Sequence, residues 1–125
     1  MTGSVRSEIL SEALAVPGVT AAAVVSGDGD LVGWATGEPP GFEDAGSELA
    51  ASYAAARVLA ESLGGALRQS ILEYRGGPVV LAVAPHPDDA SQASVRVLVL
   101  RLRAPSDLGR ARFELPRLLA GLAAA

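Results

Sequence analysis

The chain has 125 residues, half of them apolar, and a formal net charge of −4, so it is long enough to bury a core without a metal or disulfide staple. It has no cysteine, which removes disulfides and thiol chemistry, and its acidic balance with one Trp, two Tyr and two Phe argues against a general affinity for nucleic acid or anionic lipid. Every basic residue except the single His is Arg; without a Lys the chain has neither the amine of a phosphate-binding P-loop nor that of a Schiff-base enzyme.

The segment Met1 to Leu14 alternates charged and apolar residues and lacks the uninterrupted apolar core of a signal peptide. Within it, Ser4 to Val16 reads as a first helix. Ser4 is the expected cap, Ser7 and Glu8 fall in the first turn, and Pro17-Gly18 is the stop. Ile9, Ala13 and Val16 share one face, widened by Leu10 and Leu14. Val19 to Val25 is a strand, Ser26-Gly-Asp-Gly-Asp30 a tight reversal, and Leu31 to Thr36 its antiparallel partner. Gly37 to Gly46 is a loop, and Ser47 opens a second helix that ends at Gly64-Gly65. Strands are expected at Leu67 to Tyr74 and Pro78 to Ala84, joined by Arg75-Gly76-Gly77, and at Ser94 to Arg103 after a loop. Ser106 is the expected cap of a last helix running to about Leu122. Runs free of Asp, Glu and Arg, Ala13 to Gly27 and Gly76 to Pro87, are broken by Pro and Gly and too short to span a bilayer. A cytoplasmic location is expected.

The order is helix, two strands, helix, three strands, helix. The last strand, Val95-Arg-Val-Leu-Val-Leu-Arg-Leu102, is apolar on both alternating faces at its centre, as a mid-sheet strand is. The expected architecture is therefore one α+β domain over residues 1–125: a five-stranded antiparallel sheet with helices on both faces.

The second helix is unusual. At about 100° per residue, Leu49, Tyr53, Ala56, Ala60 and Leu63 form a core stripe, with Leu59 at its edge. The opposite side carries Ala51, Ala54, Ala55 and Val58, with charges only at the flanks, Glu48, Arg57 and Glu61. A helix apolar all round is normally covered twice, and a second copy of the chain is the natural cover. Small residues there let two such helices approach closely. Against this stands the plain helix propensity of Ala at exposed sites.

The sequence resembles the roadblock/dynein light chain family, and in particular its bacterial MglB-like members. The matching features are Val16-Pro-Gly-Val19 with the strand Ala21 to Ser26, the Gly/Asp turn before Leu31-Val32, and the Ala-rich helix ending in Leu63-Gly64-Gly65. Ile71-Leu-Glu-Tyr74, Pro78-Val-Val-Leu81, Leu98-Val-Leu100 and Leu108-Gly109 before an Arg/Leu-rich helix follow in order. Pro116 departs from that pattern and is expected to kink or restart the last helix. The resemblance implies a profilin-like sandwich and a homodimer with paired second helices and sheets joined edge to edge. It further implies a regulator or scaffold of a Ras-like small GTPase, with the nucleotide in the partner. The interface residues expected on that basis are Glu48, Ala51, Ala54, Ala55, Arg57, Val58 and Glu61. Two other readings are a profilin-like sensor holding a small ligand and a structural adaptor with no effect on hydrolysis.

Candidate chemical sites are weak. His86, Asp88 and Asp89 would offer three ligands to a divalent metal, but Pro85 and Pro87 make a solvated turn the simpler reading. Asp28 and Asp30 lack the remaining ligands of a calcium loop. Ser11, Ser52 and Ser70 have no His at a readable spacing. Arg96, Arg101 and Arg103 would form a phosphate clamp, although solvent is the simpler destination for the last two. Trp34 either covers a helix or is an exposed anchor, core packing being the commoner fate of a lone Trp, and Phe113 lies off the stripe Leu108, Ala111, Leu115, Leu118, Leu119 and Leu122, where a contact residue would sit. No enzyme, cofactor or metal is expected, and neither nucleic acid nor membrane insertion.

Overall fold

The computed structural model describes residues 3–123. Helix α1 (Gly3–Leu14) leads into strands β1 (Val19–Ser26) and β2 (Leu31–Thr36), then helix α2 (Gly46–Ser62). Strands β3 (Gln69–Tyr74), β4 (Gly77–Val83) and β5 (Arg96–Leu102) follow, and helix α3 (Leu108–Ala123) closes the order. The strands form one antiparallel sheet in the order β2-β1-β5-β4-β3. The order of elements and the antiparallel sheet are as the sequence reads, and β5 is the central strand.

That placement follows from composition. Val97, Leu98, Val99 and Leu100 are all fully buried, and their side chains alternate between the two faces of the sheet. On one face Leu98, Leu100 and Leu102 meet Ala22, Val24 and Val80 beneath α1 and α3. On the other Val97 and Val99 meet Ala21, Ala23, Val25 and Leu81 beneath α2 and Phe42. The alanines of β1 keep that second surface low, so the bulky Tyr53 and Phe42 sit on it without a void. Helix α3 buries Ala111, Leu115, Leu118 and Leu122, the stripe its sequence periodicity marks.

Four local details differ from the sequence reading. Helix α1 stops at Leu14, two residues short of Val16, because Pro17-Gly18 turns the chain and Val16 turns into the core with it. It begins at Gly3, so Ser4 lies inside it; the side chains of Ser4 and Ser7 fall outside the described residues. Asp107 closes the 3-10 turn ahead of the last helix, its carboxylate accepting a hydrogen bond from the Ala104 N–H at 3.1 Å; the expected cap, Ser106, is exposed within that turn. Finally, α3 continues through Pro116 without ending or restarting. Pro116 and Arg112 both face solvent, so the Arg112 carbonyl that loses its helical donor has water in reach.

Gly18 illustrates how the ends are locked. Its φ is +91°, and a Cβ there would collide with the side chain of Asp107. Its carbonyl also accepts the Arg103 N–H at 2.8 Å. Gly18→Ala is expected to destabilise the fold by about 1–3 kcal/mol, read as a lower urea midpoint. An unchanged midpoint would contradict this role.

Candidate protein-interaction surface

Helix α2 begins without a side-chain cap at Ala45, with Glu48 in its first turn, where the helix dipole favours a carboxylate. It ends as the sequence suggests. Gly64 takes φ +87°, and the Gly65 and Gly64 N–H groups return to the carbonyls of Ala60 and Glu61, each at 3.0 Å. Between these ends the expected core stripe is covered for only half its length. Leu49 and Tyr53 are buried, whereas Ala56 and Ala60 are half-buried, Leu59 is 61% exposed and Leu63 is 79% exposed. The C-terminal half of the helix has little packed against it.

Of the expected interface residues, Ala51, Ala55, Val58, Glu48 and Glu61 are exposed, and Ala54 and Arg57 are half-buried. All seven lie on α2. Arg57 reaches along the helix, donating from Nη1 to Glu61 at 3.1 Å, and its guanidinium lies 6.0 Å from the centroid of the Tyr53 ring. Its Nε is buried with no acceptor, a cost usually relieved by a further partner. The Tyr53 hydroxyl donates to Oε1 of Gln92 at 2.9 Å, fastening α2 to the turn before β5.

The exposed part of α2 does not stand alone. In the register of the sheet Leu72 pairs with Val79 and Tyr74 with Gly77, which puts both side chains on the same sheet face as α2. Leu72 is 54% exposed and Tyr74 is also exposed. Strand β3 is an edge strand, so a row of its backbone groups is unpaired as well. Sequence reasoning missed Leu59, Leu63, Leu72 and Tyr74 as surface residues. The alternation Ser70, Leu72, Tyr74 carries a signal, but it identifies an uncovered face only when β3 is known to lie at the sheet edge.

The other candidates resolve differently. Trp34 pairs with Ala23 on edge strand β2 and is 50% exposed, so it is not a core residue: an edge strand has no neighbour to close over it. Phe113 is 79% exposed. Arg101 is held by the protein and not by solvent, donating to the Tyr74 hydroxyl and to Oγ1 of Thr20, each at 3.0 Å. Arg103 pairs with Glu38 at 2.6 Å, and that hydrogen bond holds the Glu38 carboxyl below its ordinary range. Arg96 donates to the Ala93 carbonyl at the far end of β5, so the three arginines do not converge on one anion. His86 lies in an exposed turn with Nδ1 2.9 Å from the Pro87 carbonyl oxygen. Among the described residues no group of three His, Cys, Asp or Glu side chains is arranged to hold a metal. Asp28 and Asp30 hydrogen-bond with Ser26 within the hairpin turn. No described helix is long and apolar enough to cross a membrane.

This architecture has solved counterparts. The gliding protein MglB of Thermus thermophilus matches with a TM-score of 0.76 at 21% identity, over 95% of this chain and 86% of that one. The fold is that of the roadblock domain. An MglB in a tetrameric arrangement gives 0.74 at 22% identity over 94% and 84%. A roadblock/LC7 domain from Streptomyces avermitilis gives 0.66 at 23% identity over 92% of each chain. No family model and no curated protein matches the sequence. The resemblance drawn from the sequence thus stands in the fold.

Tyr53→Phe removes the Gln92 bond and is expected to cost about 1 kcal/mol. Burial also pushes the Tyr53 phenol up, so the folded state holds its proton more tightly. The stability linked to that proton is whole below about pH 10 and drains away as pH rises through the raised folded value. Alkaline unfolding curves should therefore steepen in the native protein and not in Tyr53→Phe. Identical alkaline slopes would contradict the linkage.

Proposed function

We propose that this chain is a homodimeric regulator or scaffold of a Ras-like small GTPase. The observation that carries the reading is the uncovered apolar surface made by the C-terminal half of α2 and the adjoining face and edge of β3, on a fold shared with MglB. Two copies related by a two-fold axis would pair their α2 helices and join their sheets through β3, so that Leu59 and Leu63 of one copy lie over Leu72 and Tyr74 of the other. The small side chains of Ala51, Ala54 and Ala55 permit close helix approach. The tetrameric MglB supports self-association in this fold. Glu48, Val58 and Glu61 flank the paired helices and would meet the GTPase. The absence of Lys agrees with a nucleotide that belongs to the partner. Such a protein would work in the cytoplasm, without a cofactor and without catalysing a reaction itself.

Two measurements test the reading. Leu72→Glu would place an unpaired carboxylate inside the contact at a cost of several kcal/mol, so the double-chain species should fall to a single chain while far-UV circular dichroism is kept. A dimer indifferent to Leu72→Glu would locate the contact elsewhere. The purified protein should also bind a Ras-like GTPase of the same organism in at least one nucleotide state. Faster GTP hydrolysis then marks a regulator and unchanged hydrolysis a scaffold. No binding in either state would overturn the proposal.

A further inference from the structure

A second surface lies apart from the residues assigned to α2 above. The stretch of α3 from Arg112 to Ala120, the entry to β3 and the exit of β4 enclose an open groove of about 900 Å³. Its floor is apolar, with Leu67, Val83, Leu115 and Leu119 among its lining. Two guanidinium groups stand over it, Arg68 from the chain entering β3 and Arg112 from α3. Neither makes an ion pair or a side-chain hydrogen bond among the described residues, whereas Arg110 and Arg117 on the same helix are both paired with Glu114. Asp88 is the one carboxylate in the lining, beside His86. In a chain of net charge −4, the groove is therefore locally cationic.

Pro116 adds a third feature. It lines the groove, and because it has no N–H the carbonyl of Arg112 one turn back lacks its helical donor. The groove thus joins three kinds of recognition in one place: an apolar floor, two unpaired guanidinium groups suited to carboxylates, and a backbone acceptor open to an N–H. A polypeptide bearing acidic side chains supplies all three complements. A free phosphate has neither an N–H to give nor an apolar part for the floor.

We propose that this groove binds an acidic, amphipathic peptide segment of a partner protein, with its apolar side chains on Leu115 and Leu119 and its carboxylates on Arg68 and Arg112. This goes beyond the GTPase reading, because it uses none of the α2 residues assigned there and would give the protein a second partner; the two surfaces adjoin only at the start of β3, where Gln69 lines the groove.

The test is to pan a phage-displayed library of random dodecapeptides against the intact protein. The recovered sequences are then measured by fluorescence anisotropy against the native chain and an Arg68→Glu/Arg112→Glu variant. Both side chains are exposed, and an unchanged thermal melt confirms that the variant is folded. The expected result is enrichment of sequences combining Asp or Glu with apolar residues, and about tenfold weaker binding for each guanidinium removed. Their amide-shift footprint should fall on residues 66–69, 83–88 and 112–120. Recovery of basic sequences, of sequences that bind the double variant equally, or of none overturns the proposal. A change in self-association mass in the double variant, with no effect on peptide binding, overturns it in favour of a contact between copies. Leu72→Glu leaves the groove residues intact, so failure here and failure of the α2 surface are separately visible.

Discussion

A sheet whose central strands are apolar on both faces must be roofed twice, and this chain has helices for one face and part of the other. Helices α1 and α3 together close over β1, β5 and β4 on one side. On the opposite side α2, held by Leu49 and Tyr53 and helped by Phe42, closes over the middle of the sheet and stops short of β3. From that shortfall follow the exposed Leu59 and Leu63 above and the exposed Leu72 below. Leaving several large aliphatic side chains in water forgoes about 1.5–3 kcal/mol for each, which is the driving force available to whatever covers them. A second copy would bring the same missing pieces in complementary positions: a helix in need of a floor and a floor in need of a helix.

The arginines divide along similar lines. Most are engaged by the protein itself. Arg101 ties the end of β5 to Tyr74 and Thr20, Arg103 holds Glu38, and Arg57 reaches Glu61. Pairs as exposed as Arg103 with Glu38 add little stability, but they do consume charge that would otherwise be offered to a partner. Among the described arginines Arg68, Arg75 and Arg112 make no side-chain hydrogen bond or ion pair, and two of them, Arg68 and Arg112, meet at a groove that combines them with apolar lining. Their convergence on one groove is what makes those two informative.

Much of this architecture is legible in the residues because local rules and global packing agree there. The doubly apolar centre of β5 announces its middle position, the 3.6-residue period of Leu115, Leu118 and Leu122 announces the buried side of α3, and Gly64 marks the end of α2. The seven expected residues of α2 come from its far side and its flanks, yet the largest exposed apolar groups of that helix and its end, Leu59 and Leu63, come from the edge and the end of the stripe that periodicity assigns to the core. Periodicity tells which residues share a side of a helix. How far the surface beneath that helix extends depends on strand order, which no window of sequence contains. The same limit explains Trp34, a residue type that packs inside unless its strand is an edge. Ser106 has the side chain of a helix cap, but the chain returning from β5 enters a 3-10 turn first and leaves Ser106 exposed inside it.

Sedimentation equilibrium of the native chain across the micromolar range is the most direct measurement, because every part of the functional reading passes through the covering of α2 and β3 by a second copy. The expected result is a mass of twice the single chain that persists on dilution until a concentration-dependent dissociation sets in. A single-chain mass throughout that range would contradict it.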